Sequence, residues 1–142
     1  MKKIKLGSKV KFKGAKFPFK SKIIGKYVFI EPLNIKKHSK DLFKNYIKDK
    51  KNINWKYLSY GPFKSYLSFK NWLRNFCLGN DPFFYAVYSK RHKKFSGMLS
   101  YLDSQTDHGS IEVGHINYSP LLQNSLEGTE TMYLMMKNAF EK

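Results

Sequence analysis

The chain has one cysteine, Cys77, so it can form no internal disulfide and no sulfur-rich metal site. It has no run of about 18 apolar residues and no apolar centre of a secretory signal near its start, which argues against a membrane span or export. A cytoplasmic protein without a membrane partner is expected. Arginine is nearly missing as well: only Arg74 and Arg91 stand among 27 basic residues. The guanidinium is the group suited to bidentate reading of phosphates and bases, so a nucleic-acid partner is not favoured despite the charge. His38, His92, His108 and His115 show no zinc-ligand spacing, and no metal is expected. No Gly-x-Ser-x-Gly motif marks a serine hydrolase.

What is present is lysine and aromatic residues. The 142 residues carry a formal charge of +17, are 42% apolar and include 12 Phe, 10 Tyr and 2 Trp, enough to build the core of one compact domain. Lys, Asn, Ile, Phe and Tyr are enriched together, and all have A/T-rich codons; coding bias accounts for much of the charge without a selected partner. Lys2, Lys3, Lys5, Lys9, Lys11, Lys13, Lys16, Lys20 and Lys22 all precede the first acidic residue, Glu31. Residues 1–24 therefore read as a basic arm, a solvated tail, and residues 25–142 as the folded unit.

Within that unit, Lys26 to Leu33 reads as a strand closed by Pro32. Ser39 is expected to cap a short helix carrying Leu42, Phe43, Tyr46 and Ile47, followed by a polar stretch from Lys48 to Asn54. A loop with Trp55, Tyr57 and Tyr60 leads to a second helix marked by Tyr66, Phe69, Trp72, Leu73, Phe76 and Cys77 and stopped at Gly79-Asn80-Asp81-Pro82. Phe83–Tyr88 and Phe95–Leu102 form a strand hairpin, and Ser110–Tyr118 a further strand. Met132, Met135, Met136, Ala139 and Phe140 recur at helical spacing, so a final amphipathic helix is expected to bury one face. The predicted order is βααβββα.

The junction from Leu122 to Glu130 joins a strand to a helix N-terminus, where open backbone N–H groups and the helix dipole suit a phosphate and a glycine permits close approach. Gln123-Asn124-Ser125-Leu126-Glu127-Gly128 resembles the Gln/Arg-x-x-Gly-x-Gly/Ala loop of the GNAT superfamily, with Leu126 in place of its first glycine. Tyr27 to Leu33, Tyr60-Gly61-Pro62-Phe63, Ile111 to Ile116 and Ser119 to Gln123 follow in the order found in a GNAT subgroup that includes proteins similar to ribosomal-protein and polyamine N-acetyltransferases. The resemblance covers about Gly25 to Lys142.

It implies an α/β (α+β) fold with a mixed, mostly antiparallel sheet flanked by helices and splayed beside its fourth strand. It further implies acetyl-CoA as co-substrate, with the pantetheine arm against Ile116, Asn117 and Tyr118. The pyrophosphate would lie at the loop of Gln123, Asn124, Ser125, Leu126, Glu127, Gly128 and Thr129. An amine of a protein or small molecule would be the acceptor, and the attacking amine must lose a proton. Glu112 and His115, on the strand leading to that site, are the candidate catalytic groups.

GNAT domains continue past this helix with more strands and helices, and no Gly, Asn or Pro follows Phe140. The chain therefore reads as the N-terminal portion of such a domain, truncated, with self-association or a complementing C-terminal fragment as expected ways to cover an open strand. The alternative is a basic, non-enzymatic RNA-binding module that uses the lysine arm and stacks bases on Trp55, Tyr57 and Tyr60.

Overall fold

The computed structural model describes residues 7–8, 11–18 and 20–141. Lys2, Lys3, Lys5 and Lys9 of the basic arm lie outside the described residues. Five strands form one sheet in the order β1-β2-β3-β4-β5, with every pairing antiparallel: β1 (Ile23–Ile24), β2 (Val28–Pro32), β3 (Phe83–Ser89), β4 (Lys94–Gln105) and β5 (Ser110–Tyr118). α1 (Ile35–Tyr46), a 3-10 turn (Ile53–Trp55) and α2 (Tyr66–Phe76) lie between β2 and β3, and α3 (Leu126–Glu141) follows β5.

The predicted α/β order is present with one strand added. Of the arm read as solvated, the described part near its end packs on the domain. Ala15 donates its N–H to Thr106 O at 2.8 Å, Phe17 sets its ring edge-on to Phe83 and Tyr101, and Ile23–Ile24 pairs with Phe29–Ile30. Phe17, Pro18 and Ile23 carry apolar surface among the lysines, and β2 offers an open edge; together they outweigh the dispersal of like charge. The predicted strand over 26–33 is likewise shorter. Gly25 to Tyr27 form the turn into β2, and Glu130 of α3 holds that turn by accepting the N–H groups of Lys26, Tyr27 and Val28 at 2.7, 2.7 and 2.8 Å.

α1 starts four residues before the predicted cap. Asn34 is its N-cap, accepting from Lys37 N at 3.0 Å, whereas Ser39 is buried and donates to Ile35 O. α2 is capped by Ser65, which exchanges hydrogen bonds with Ser68 in a capping box. The α1 and α2 face of the sheet carries the aromatic core: Leu42, Tyr46, Trp55, Phe69, Leu73, Cys77, Phe84, Phe95 and Met98. On the other face Val28, Ile30, Tyr85, Val87, Leu99, Tyr101 and Leu122 meet Leu134 and Met135 of α3.

The amphipathic reading of α3 needs correction. Met135 is buried and Met132 and Ala139 are half-buried, but Met136 and Phe140 are exposed, and the inward face is completed by Thr131, Leu134 and Asn138. The helix thus has apolar groups on two sides, one buried and one open.

Candidate functional site

Strand β5 builds the site because it carries one extra residue. Met98 pairs with Asn117 but Ser100 with Gly114, so two steps on β4 face three on β5, and His115 takes the left-handed φ of +49° that makes this bulge. Strict alternation would put His115 on the same face as Ile111 and Val113, which belong to the α3-side core. The bulge turns it to the opposite face instead, where its ring lies 5.3 Å from those of both Phe76 and Phe84 and 5.7 Å from that of Tyr60. The same shift turns Tyr118 to the α3 side.

Glu112 and His115 are brought together by this geometry. Gly114 lies between them with no room for a side chain: a Cβ there would come within 2.9 Å of Glu112 Oε1 and 2.7 Å of Leu102. Burial lowers the pKa of His115 against the opposing pull of Glu112, so the imidazole is neutral at neutral pH. Its Nδ1 lies 3.1 Å from the Tyr60 hydroxyl, which burial keeps protonated. β5 pairs only with β4, so the backbone groups along its far edge are open among the described residues.

At the C-terminal end of β5 a concave region of about 720 Å³ opens between Tyr118, Leu122 and the outer side of α3. Asn124, with φ +51°, turns the chain into the helix, and Ser125 caps it by accepting from Gly128 N at 3.1 Å while donating to Leu122 O at 2.7 Å. The first intrahelical bond runs from Thr129 N to Ser125 O. The N–H groups of Leu126 and Glu127 precede it and have no helical acceptor, so among the described residues they and the positive end of the α3 dipole are open to an anion.

Of the predicted cofactor residues, Tyr118, Asn124, Ser125, Leu126, Gly128 and Thr129 line this cleft. Ile116 is exposed on β5 nearer the bulge. The Asn117 side chain is buried inward, accepting from Asn54 Nδ2 at 2.9 Å. Gln123 folds back to donate to Tyr118 O at 3.0 Å. Glu127 is buried against Ser89 and, with Lys26, Tyr27, Lys90, Arg91 and Leu126, lines a neighbouring hollow of about 330 Å³.

Gly128 has a different reason from the one its sequence context offers. A Cβ on it would meet Leu122 O at 2.6 Å and the Tyr118 ring at 3.3 Å, so the missing side chain makes room for the protein's own loop. The sequence reading missed Leu122, Met132, Tyr133 and Met136 as lining residues. Their signal was available: 129, 132, 133 and 136 form one helical stripe continuing from the loop. Of the aromatics offered for base stacking, Trp55 is buried and Tyr60 is packed against Trp72 at 4.3 Å, which leaves Tyr57 exposed. Among the described residues no group of three or more His, Cys, Asp or Glu could hold a metal ion, and no helix is long and apolar enough to cross a membrane.

No protein-family model and no curated protein sequence matches the chain. Solved structures do. A GCN5-related N-acetyltransferase from Brucella melitensis superposes with a TM-score of 0.88 at 28% identity, over 92% of this chain and 59% of its own. A probable acetyltransferase of the GNAT family from Chromobacterium violaceum gives 0.84 at 31% identity, over 99% of this chain and 71% of its own. A Vibrio cholerae spermidine N-acetyltransferase chimera shares the fold at 0.54 and 16% identity, over 82% of this chain and 64% of its own. The chain belongs to the GNAT family of N-acetyltransferases. It spans 59% of the length of the Brucella protein and 71% of the Chromobacterium protein.

Proposed function

We propose that the folded unit, which takes in β1 (Ile23–Ile24) as well as residues 25–142, is the N-terminal portion of an acetyltransferase domain that moves an acetyl group from acetyl-CoA to an amine. The observation that carries this reading is the cleft at Tyr118 to Met136, in which the open N–H groups of Leu126 and Glu127 face an approach lined by the capped start of α3. A pyrophosphate fits that chemistry, with no cationic side chain required at its centre. Lys26, Lys90 and Arg91 beside Leu126 add positive potential on the side where the nucleotide of the cofactor would extend. The open edge of β5 beside Ile116 and Tyr118 is the place for the pantetheine amides, which pair with backbone as a strand does; Asn117 between them supports that run from within, its carbonyl accepting from the buried Tyr46 hydroxyl at 3.0 Å.

Transfer needs the amine nitrogen, deprotonated, at the thioester carbonyl. The new C–N bond forms as the C–S bond breaks, the amine proton passes to a neighbouring base or water, and coenzyme A leaves as a thiolate that takes up a proton. Glu112 and His115, three residues apart on β5 with His115 in the bulge, are the groups proposed to handle the proton. The acceptor is an amine of a protein or of a small molecule such as a polyamine. The open edge of β5 ahead of the bulge, with exposed Phe140 on α3, is the surface on which a complementing polypeptide segment or a second copy would dock. The protein is proposed to act in the cytoplasm. Incubation with acetyl-CoA and a panel of amines, with coenzyme A release followed by thiol titration and products by mass spectrometry, tests the reading. Acceptor-dependent release is expected, and release that no amine accelerates would count against it.

A further inference from the structure

The hydrogen bond between Tyr60 and His115 decides which nitrogen of the imidazole carries its proton. Tyr60 reaches His115 from the loop ahead of α2, and the contact from its hydroxyl to Nδ1, 3.1 Å, is the hydrogen bond each side chain makes among the described residues. The surroundings are aromatic: Trp72 and Phe76 pack on Tyr60 at 4.3 and 5.6 Å, and Phe76 and Phe84 on His115. α2 and β3 face the imidazole with those phenyl rings, the loop faces it with the Tyr60 phenol, and β5 itself contributes Glu112, the charged group that acts on it.

Two arrangements are open to a neutral imidazole. If Nδ1–H donates to the phenol oxygen, the Tyr60 proton is left among aromatic rings with no protein acceptor, and an unmade hydrogen bond in a half-buried place is costly. If Tyr60 donates to Nδ1, the phenol proton has its acceptor in the aromatic pocket, and the imidazole proton sits on Nε2, which has no partner among the described residues. A phenol is also the better donor of the two and a poor acceptor.

We infer that Tyr60 is a positioning residue that fixes neutral His115 as its Nε2–H tautomer, so that the nitrogen left without a protein partner presents a hydrogen-bond donor to an oxygen of bound substrate. Glu112, one turn of the pleat away, is then the member of the pair with a free lone pair for the amine proton. The assignment of these roles rests on the acetyl-transfer reading; the tautomer does not.

The test is long-range proton–nitrogen NMR of the chain labelled with ¹⁵N-histidine, above the imidazole pKa, with the His115 signals identified by their loss in His115→Gln. A protonated Nε2 and a hydrogen-bonded, unprotonated Nδ1 are expected. Tyr60→Phe then raises the His115 pKa, because the donor that favours the neutral ring is gone. A proton on Nδ1 in the unsubstituted chain, or a pKa that falls in Tyr60→Phe, overturns the inference: with Nδ1–H as donor, the lost contact would have favoured the charged ring. If Tyr60→Phe does not fold, the spectrum of the unsubstituted chain decides alone. Neither readout involves coenzyme A or acetyl transfer, so failure of the functional reading and failure of this inference show up separately.

Discussion

The two faces of the sheet are finished to different degrees. On one, α1, α2 and the loop carrying Trp55, Tyr60 and Phe63 enclose a core whose rings contact one another continuously from Phe43 to Phe84. On the other, α3 covers the sheet with help from Phe17 and Leu122 and keeps Leu126, Tyr133, Met136 and Phe140 exposed, Phe140 by 89%. The first face holds the fold together, and the second uses part of its apolar surface to shape a cleft. The catalytic candidates sit where the two meet, because the β5 bulge passes side chains from one face to the other.

Substitutions sharpen this contrast. The largest effect is expected from Phe69→Ala, since Phe69 is fully buried among Phe43, Tyr46, Phe63 and Trp72. A cavity of that kind costs about 3–5 kcal/mol, read from urea unfolding. Gly128→Val comes next, because its Cβ would press on the Leu122 carbonyl; overpacking there costs about 1–3 kcal/mol and displaces the loop. A weaker affinity for coenzyme A in that variant would not by itself identify a phosphate contact.

Glu130→Ala removes the acceptor of three backbone N–H groups and unlatches the β1–β2 turn from α3. A loss of about 1–3 kcal/mol is expected, with faster amide exchange at Lys26 to Val28 as its local signature. Exchange that stays unchanged there would show that the turn holds itself.

The enclosed face also predicts a response to acid. His38 is buried with Nδ1 accepting from Asn34 N at 2.9 Å and Nε2 2.7 Å from Glu31, and burial lowers its pKa despite the carboxylate. The unfolded chain therefore binds a proton first, and stability falls as pH drops below about 6.5 toward the lower folded pKa. Burial opposes ionisation of Glu31, but hydrogen bonds from Lys37 and His38 prevail and its pKa is lowered, so a further loss follows at lower pH as that carboxylate is protonated. The melting temperature is expected to decline between about pH 7 and about pH 5, less so in His38→Gln, and an equal slope in the two would contradict this account.

Much of the enclosed face was legible in the sequence, because Tyr66, Phe69, Leu73 and the hairpin 83–102 carry plain helical and strand periods. α3 was legible as a helix but not in its orientation: Met136 and Phe140 fit the same spacing as Met135, and only packing separates them. The bulge left no mark that alternation could detect, so the neighbours of His115 were unforeseen. Gln123 and Gly128 lie in the turn between β5 and α3, as the loop pattern predicts, but their contacts turn inward, to Tyr118 O and Leu122 O, as only the folded loop reveals. β1 was hidden under the lysines that surround Ile23 and Ile24.

The measurement that tests the central claim most directly is isothermal titration of coenzyme A into the folded chain and into Leu126→Glu. Leu126 opens α3 and is 65% exposed, and an acidic residue in a first helical turn is neutral to stability or improves it by about 0.3–1 kcal/mol. The same charge would repel a pyrophosphate held by the N–H groups of that turn. Saturable binding that weakens in Leu126→Glu, while urea unfolding is unchanged or slightly strengthened, is the predicted result. Absence of binding by the folded chain, or binding indifferent to the new carboxylate, would contradict a cofactor site at the start of α3.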